Sequence, residues 1–349
     1  MTKSDASTDQ ESSYVQMVYK YVRHTKDISI LHAPTSSLND AVNRTLLERM
    51  DMMLAYIGNS TGRTAQQYGL VWGSTRVDWG DVQNCQNPCN QQLDQRATIS
   101  IGVYENAMYI IALKNLAEMA NMTVTSYAPR TDWRAKAAQV SADTMKWLWQ
   151  DPKVSGRAQF KPHLYPNVTV CGPAHGATSF ECFPPRGSPF LHIRGFDENR
   201  IYYHGGTAVA VEAGLLSDGQ VAAALQAMRE DVAKAGGKIT IGLTIYPPYP
   251  PAAFEAEHPY NYQNGGDWTW FGGRMVQNLL RLGVARGSQQ MIAEAKAELR
   301  PMVDRVCDNK DFREWYGKNN NPSGSTTFHG SAGVLATAIK MLAVIERNS

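Results

Sequence analysis

No apolar run in this chain approaches the ~18 residues of a membrane-spanning helix, so no bilayer-crossing segment is expected. Charge of one sign is missing too. Lys and Arg total 34 against 32 Asp and Glu, interspersed, for a net +2. That removes the electrostatic case for a nucleic-acid partner or an anionic membrane surface. The opening stretch, MTKSDASTDQESS, lacks the apolar core of a signal peptide. Either the protein is intracellular or the chain begins after a processed leader, and localisation stays open; residues 1–12 are expected to be flexible. No Gly-x-Ser-x-Gly, Walker, Rossmann or His-Glu-x-x-His pattern occurs, so hydrolase-triad, nucleotide and zincin readings lack support.

Cysteine is scarce, at five residues. Cys85 and Cys89 are close in sequence, Cys171 and Cys182 flank an irregular loop, and Cys307 is left over. Two loop disulfides and five thiols in a reducing compartment fit equally. Cys-x3-Cys without a nearby matching pair is a weak zinc signal, and no metal site is expected. Four Asn-x-Ser/Thr sites, at Asn43, Asn59, Asn121 and Asn167, are of the order chance gives and do not fix the compartment.

What is present is a hydrophobic fraction of 43%, ample for a core, spread over 349 residues. We read residues 1–349 as a single domain. The pattern is mostly helical. Apolar residues recur at three- and four-residue spacing over Tyr14–Arg23 and Leu38–Ile57, the latter with Ser37 or Asn39 as cap. Further helices are expected over Ile99–Met119, Asp132–Trp149, Gly206–Gly214 and Ser217–Ala235, then Trp270–Leu282, Ser288–Val306 and His329–Ile345. Residues 158–195, rich in Pro, Gly, His and Cys, read as a small β excursion. Lys238–Tyr246 alternates like a strand and runs into a proline cluster that reads as a rigid loop wall. About nine helices joined alternately by short turns and long irregular loops indicate stacked helical hairpins in an all-α fold. No repeat of fixed period is visible, which disfavours a tetratricopeptide-like solenoid.

Three irregular loops concentrate polar and aromatic residues. The first, Leu70–Gln83, holds Asp78 and Asp81 beside Trp72, Trp79 and Arg76. A carboxylic acid against indole loses solvation, which raises its pKa and suits it to donate a proton. Taken singly, each aspartate reads better as a turn cap or a salt-bridge partner of Arg76. The second loop, Tyr260–Arg274, reads YNYQNGGDWTWFGGR. Indole and phenol faces stack on sugar rings, while Gln263, Asn264 and Asp267 offer paired donors and acceptors to vicinal hydroxyls. Asp267 reads first as the N-cap of the following helix, with sugar binding beside that role. The third loop, within Phe312–Ile339, opens with Glu314 between Arg313 and Trp315; on spacing alone it is a surface charge. His204, in YYHGGT, is equally a structural histidine and a ligand contact. Two carboxylates brought together from distant loops are nevertheless what glycosidic bond cleavage requires.

These loops, in this order, resemble the six-hairpin (α/α)6-barrel glycosidases. That grouping includes processing α-glucosidases, trehalases, the glucosidase part of glycogen-debranching enzymes, neutral invertases and the cellobiose-phosphorylase type. Asp78-Trp79-Gly80-Asp81 resembles the element that carries the general acid, and Glu105-Asn106-Ala107 the helix behind it. YYHGGTAVAVEAGLLSDGQ is similar to the family helix that ends in a Gly-Leu-Leu turn. YQNGGDWTWFGG resembles the Asn-Gly-x-x-Trp-Pro-Trp signature, with Thr269 in place of proline. Glu314-Trp315-Tyr316, followed by Gly324, Phe328 and Ser331, resembles the general-base element, with Gly330 where tryptophan is common.

The resemblance implies an (α/α)6 toroid, with any missing hairpin falling in the first sixty residues. It implies an inverting glycoside hydrolase acting on an oligosaccharide or glycoside, with Asp81 as general acid, Asp78 as alternate and Glu314 as general base. The carboxyl pair would stand roughly 6.5–9.5 Å apart. Trp72, Arg76, Trp79, Asn106, His204, Gln263, Asn264, Asp267, Trp268 and Trp315 would line the pocket. No cofactor is expected, because carboxyls perform both proton transfers. The alternatives are a phosphorylase of the same fold, a non-catalytic sugar-binding barrel, and an epimerase relying on His204, His258 or His329. Sugar, linkage and oligomeric state are not encoded in these patterns.

Overall fold

The computed structural model describes residues 9–37, 40–59, 61–75, 93, 95, 97–123, 127–174, 179–253 and 258–348. They fall into two compact units: one within 1–76, 80–149 and 163–189, the other within 150–162 and 190–349. Among the described residues nine helices reach nine residues or more, and the β structure is confined to two-stranded pieces. No helix among them is long and apolar enough to cross a membrane.

Unit 1 is built on α3 (Val103–Met122), whose burial runs nearly all the way round, from Tyr104 and Ala107 to Ile110, Leu113 and Leu116. A helix apolar on all sides belongs at the centre. Around it pack α1 (Gln10–Thr25), α2 (Leu46–Ile57) and α4 (Trp133–Leu148). α1 presents Val15, Val18 and Val22, and α2 presents Leu47, Met50 and Leu54, each a stripe at helical spacing.

The helix expected over Leu38–Ile57 starts only at Leu46. Asp40–Thr45 is instead a strand paired with Pro34–Ser37. Thr45 and Glu48 form a reciprocal capping box that stops the helix from extending back. Ser37 and Asn39 are therefore not its caps. Similarly, Ile99–Ser100 pairs with Gly73–Ser74, so α3 begins after it. The 158–195 stretch holds a hairpin, Val170–Ala174 against Ser179–Phe183, tied by a Cys171–Cys182 disulfide across directly opposed positions. Cys307 is a free, exposed thiol. Cys85 and Cys89 lie outside the described residues.

Unit 2 opens with the single turn α5 (Pro152–Ser155) and continues through α6 (His204–Glu212), α7 (Asp218–Ala235), α8 (Thr269–Arg286), α9 (Gln289–Asn309) and α10 (His329–Asn348). α8 is its centre and packs against α6, α9 and α10. Met275, Val276, Leu279 and Leu280 meet Leu225 and Met228 of α7, Leu299 and Met302 of α9, and Leu335 and Ala338 of α10. Ser217 caps α7 through a capping box with Gln220, after the turn at Gly214. Gly287, in the left-handed region, and Ser288 turn α8 directly into α9. Backbone bonds from Gly205 N–H to Thr244 O, Thr244 N–H to Gly266 O and Trp268 N–H to Gly242 O place the N-termini of α6 and α8 at one end of the unit.

Candidate functional site

Each of the helices α6, α8 and α10 is preceded by an irregular segment, and these segments hydrogen-bond into one ribbon. Tyr202–Tyr203 pairs with Ile245–Tyr246. Thr244 N–H donates to Gly266 O at 3.0 Å, and Trp268 N–H to Gly242 O at 2.7 Å. Asp267 and Tyr316 exchange both backbone bonds at 2.9 Å. Trp315–Tyr316 then pairs with Pro322–Ser323. The ribbon therefore carries His204, the Gln263–Trp268 turn and Glu314–Trp315 side by side. Gly242 lets it close tightly, because a Cβ there would run into the Asp267 carboxylate and the Trp268 carbonyl.

Two buried ion pairs brace this ribbon. Asp267 is 1% exposed. Arg305 of α9 grips it in a fork, 2.7 Å to Oδ2 and 2.9 Å to Oδ1. Thr240 adds its N–H at 2.6 Å and its hydroxyl at 2.9 Å. Arg305 also donates to Thr269 Oγ1 at 2.7 Å and lies 4.0 Å over the Tyr316 ring. Asp267 is thus not an N-cap: Trp268 holds that position without a side-chain bond. With both carboxylate oxygens engaged, Asp267 acts as a strut rather than a sugar contact.

The second brace is His204–Asp231–Arg157. Arg157 reaches both oxygens of Asp231 at 2.8 Å and sits 4.3 Å over Tyr202. His204 Nε2 is 3.3 Å from Asp231 Oδ2. Burial holds the His204 pKa below 6.5, against the pull of Asp231. Burial also works against the Asp231 carboxylate, but hydrogen bonds from His204 and Arg157 outweigh it and keep its pKa below 3.8. His204 is accordingly neutral, donating from Nε2, and its Nδ1 is a buried acceptor without a partner.

A sign follows for pH dependence. Unfolding lets His204 take up a proton that the folded chain resists, so stability is expected to fall as pH drops below about 6.5. Asp231 adds a further loss once pH falls below 3.8 toward its depressed value. Urea unfolding at stepped pH would show the first loss, and His204→Gln would remove it. A flat stability profile across that range would contradict the assignment.

The remaining predicted contacts separate into bracing and open groups. Asn264 spends its amide on the Tyr249 backbone, accepting from N–H at 2.7 Å and donating to O at 3.1 Å. In unit 1, Asn106 does the same with Val71, at 2.8 and 3.1 Å, and also reaches Gly102 O. Trp72 is 1% exposed, packed on Phe183 and beneath Arg63. The two asparagines serve backbone satisfaction in place of the substrate contact expected of them, while Trp72 packs with its indole N–H buried and without a partner. Gln263 is different. It is fully buried, yet neither Oε1 nor Nε2 has a partner. A buried amide left unmatched costs about 1–3 kcal/mol.

Glu314 is half-buried. Its N–H donates to Ser325 O at 3.0 Å, and its Oε2 accepts from Ser325 N–H at 2.9 Å. Oε1 has no bond among the described residues. Trp268 lies under Tyr262 and Phe328, with centroids 5.2 and 5.8 Å apart, and Tyr262 meets Trp315 at 6.3 Å. Trp268 is itself buried and supports the half-buried rings of Tyr262, Trp315 and Phe328. Gly330, where the resemblance expects tryptophan, lies with the Phe328 ring 2.7 Å and Trp270 3.3 Å from where a Cβ would stand. Those rings take the space. Tyr260 and Tyr262 have φ of 65° and 43°, strained values for bulky residues of a kind that gathers at functional sites. The Trp268 indole N–H holds the Tyr262 carbonyl at 3.0 Å.

Gly324 fixes the Glu314 carboxylate. It has φ +69°, and a Cβ there would lie 2.5 Å from Oε2 and 2.7 Å from the Glu314 Cβ. Gly324→Ala is expected to cost about 1–2 kcal/mol in backbone strain and to push Glu314 aside. Turnover should therefore drop more than the urea midpoint does; an equal, small effect on both would count against Glu314 as the reacting group.

Asp78, Asp81, Arg76 and Trp79 lie outside the described residues. Sequence reasoning missed Arg305, Asp231 and Arg157, which are far from their partners along the chain, and Tyr262, whose left-handed backbone has no local signature.

Neither protein-family models nor curated protein sequences give a match to this chain. Solved structures do. An uncharacterised conserved protein from Thermus thermophilus is 11% identical, with 98% of this chain and 79% of that one covered and a TM-score of 0.54. Cellobiose 2-epimerase from Spirochaeta thermophila is 10% identical over 96% of this chain and 70% of that one, with a TM-score of 0.50. A GH63 mannosylglycerate hydrolase from Thermus thermophilus, in complex with glucose, is 14% identical over 70% of this chain, with a TM-score of 0.42. The match spans about half, 48%, of that hydrolase. The mostly helical fold of the chain is similar to that of these proteins and agrees with the (α/α)6 fold that its loops resemble. At these identities the likeness is one of fold alone.

Proposed function

We propose that this chain hydrolyses an O-glycosidic bond in an oligosaccharide or glycoside with inversion, using Glu314 as general base and Asp81, or Asp78, as general acid. The observation that supports it is the Glu314 carboxylate. One oxygen is pinned to Ser325, the other makes no bond among the described residues, and the same ribbon carries the Tyr262, Trp268, Trp315 and Phe328 rings at the N-terminal ends of α8 and α10. In this reading Glu314 Oε1 takes a proton from water as its oxygen bonds to the anomeric carbon. The bond to the departing oxygen breaks, and the aspartic acid delivers a proton to it. Trp315 and Tyr262 would bear the sugar face, and Gln263 would hydrogen-bond a hydroxyl. His204 is too deeply enclosed to touch substrate and would brace the ribbon, which weakens the epimerase alternative.

The test is a screen of the purified chain on α- and β-linked gluco-, manno- and galacto-oligosaccharides, with and without phosphate. Release of free sugar without phosphate, lost in Asp81→Asn and Glu314→Gln, is the expected result. Sugar phosphate formed only with phosphate would identify a phosphorylase. Binding without turnover would identify a non-catalytic barrel.

A further inference from the structure

We infer that unit 1 is N-glycosylated at Asn59 and Asn167, beside a neutral groove whose lining suits the attached sugar. The chain has four acceptor triplets, ending at Thr45, Thr61, Thr123 and Thr169, each with threonine third and none with proline in the middle. All four asparagines are exposed in the folded chain. A glycan is added before folding is complete, so a buried acceptor would block the fold; none of the four does.

Backbone context separates them. Asn43 belongs to a strand and Asn121 to the last turn of α3. Asn59 and Asn167 lie in turns outside any helix or strand. At the first, the Thr61 hydroxyl donates to Asn59 Oδ1 at 2.9 Å. Asn59 Nδ2 itself donates to Ala55 O at 3.2 Å; both contacts form with the fold, after the modification, and hold the acceptor turn in place. In the modification, Nδ2 attacks the anomeric carbon of a lipid-diphosphate-linked oligosaccharide supplied by the cell's transferase. An N–C bond forms, the anomeric C–O bond breaks, the lipid diphosphate leaves with the electron pair, and Nδ2 gives up one proton to the transferase.

Two further observations agree. Thr61 and Thr169 line one groove of about 450 Å³ with Gln66, Gln67 and Phe180, and no charged side chain contributes to it. Phe180 is 58% exposed at its rim. Amides, hydroxyls and one open aromatic face are the chemistry that holds a neutral sugar. The hairpin that carries Phe180 is closed by Cys171–Cys182, a bond that forms in oxidising compartments, where such transferases act.

The experiment takes the protein purified from its own cells and treats it with peptide-N-glycosidase in heavy-oxygen water. Peptide mapping should find Asn59 and Asn167 converted to Asp carrying the heavy oxygen, with Cys171 linked to Cys182 before reduction. Thr61→Ala and Thr169→Ala should each remove one glycan and leave the helical circular dichroism unchanged. Deglycosylation should raise binding of an apolar dye, and Phe180→Ser should cancel that rise. Recovery of both asparagines unmodified would overturn the inference, whatever the state of the cysteines; dye binding unchanged by deglycosylation would overturn the role of the groove.

Discussion

Arg305→Ala is expected to destabilise unit 2 by about 3–5 kcal/mol, the usual cost of removing one partner from a buried pair. The Asp267 and Arg305 side chains are 1% and 4% exposed. Without the guanidinium, Asp267 keeps a charge that water cannot reach, and Thr240 alone cannot neutralise it. The loss also reaches Thr269 Oγ1 and the face of Tyr316, which Arg305 contacts in the same geometry. Because Asp267 joins the ribbon to Tyr316 through both backbone bonds, the damage falls on the segment that carries Glu314. Urea unfolding of the variant measures it. A loss below about 1 kcal/mol, the value of an exposed pair, would contradict the assignment of this bridge as the main brace.

Glu314→Gln is expected to lower turnover by about 10²–10⁴-fold, the usual contribution of a positioned acid or base. The substitution is nearly isosteric. Its amide oxygen still accepts from Ser325 N–H, so the contact that orients the side chain survives, as does the room beside Gly324. Stability should move little, and sugar binding should persist, because the aromatic rings and Gln263 are untouched. What disappears is the ability to take a proton from water. Steady-state kinetics with thermal unfolding in parallel separates the two roles. A variant that keeps most of its turnover would remove Glu314 from the chemistry, and one that unfolds would make it a structural residue.

Much of the helical frame was legible because burial writes itself into spacing. The stripes of α1, α7 and α8 recur at helical intervals, and the capping box at Ser217 is local in sequence. The loops before α8 and α10 were also legible, through their density of aromatic and amide side chains. What the sequence concealed was the use made of each polar group. Asn264 and Gln263 are neighbours of the same chemical type, yet one closes on the Tyr249 backbone and the other has no partner. Asp267, standing just before a helix, carried the local signature of a cap. Its true partner, Arg305, is 38 residues away on another helix, and nothing near either residue announces the pairing. The strand Asp40–Thr45 was absorbed into a helix because its pairing is carried by backbone bonds, with no apolar alternation to reveal it. The left-handed tyrosines follow the same rule: strain imposed by tertiary contacts leaves no mark on composition.

The central claim is that Glu314 activates water on the face opposite the departing oxygen. The stereochemistry of the first product tests it most directly. Proton NMR of the newly released sugar, recorded before mutarotation on the best substrate from the screen, should show the anomer opposite to that of the substrate. The signal should vanish in Glu314→Gln. Release of the same anomer as the substrate would contradict the account, because it would require a covalent sugar–enzyme bond and a nucleophile where this reading places a base.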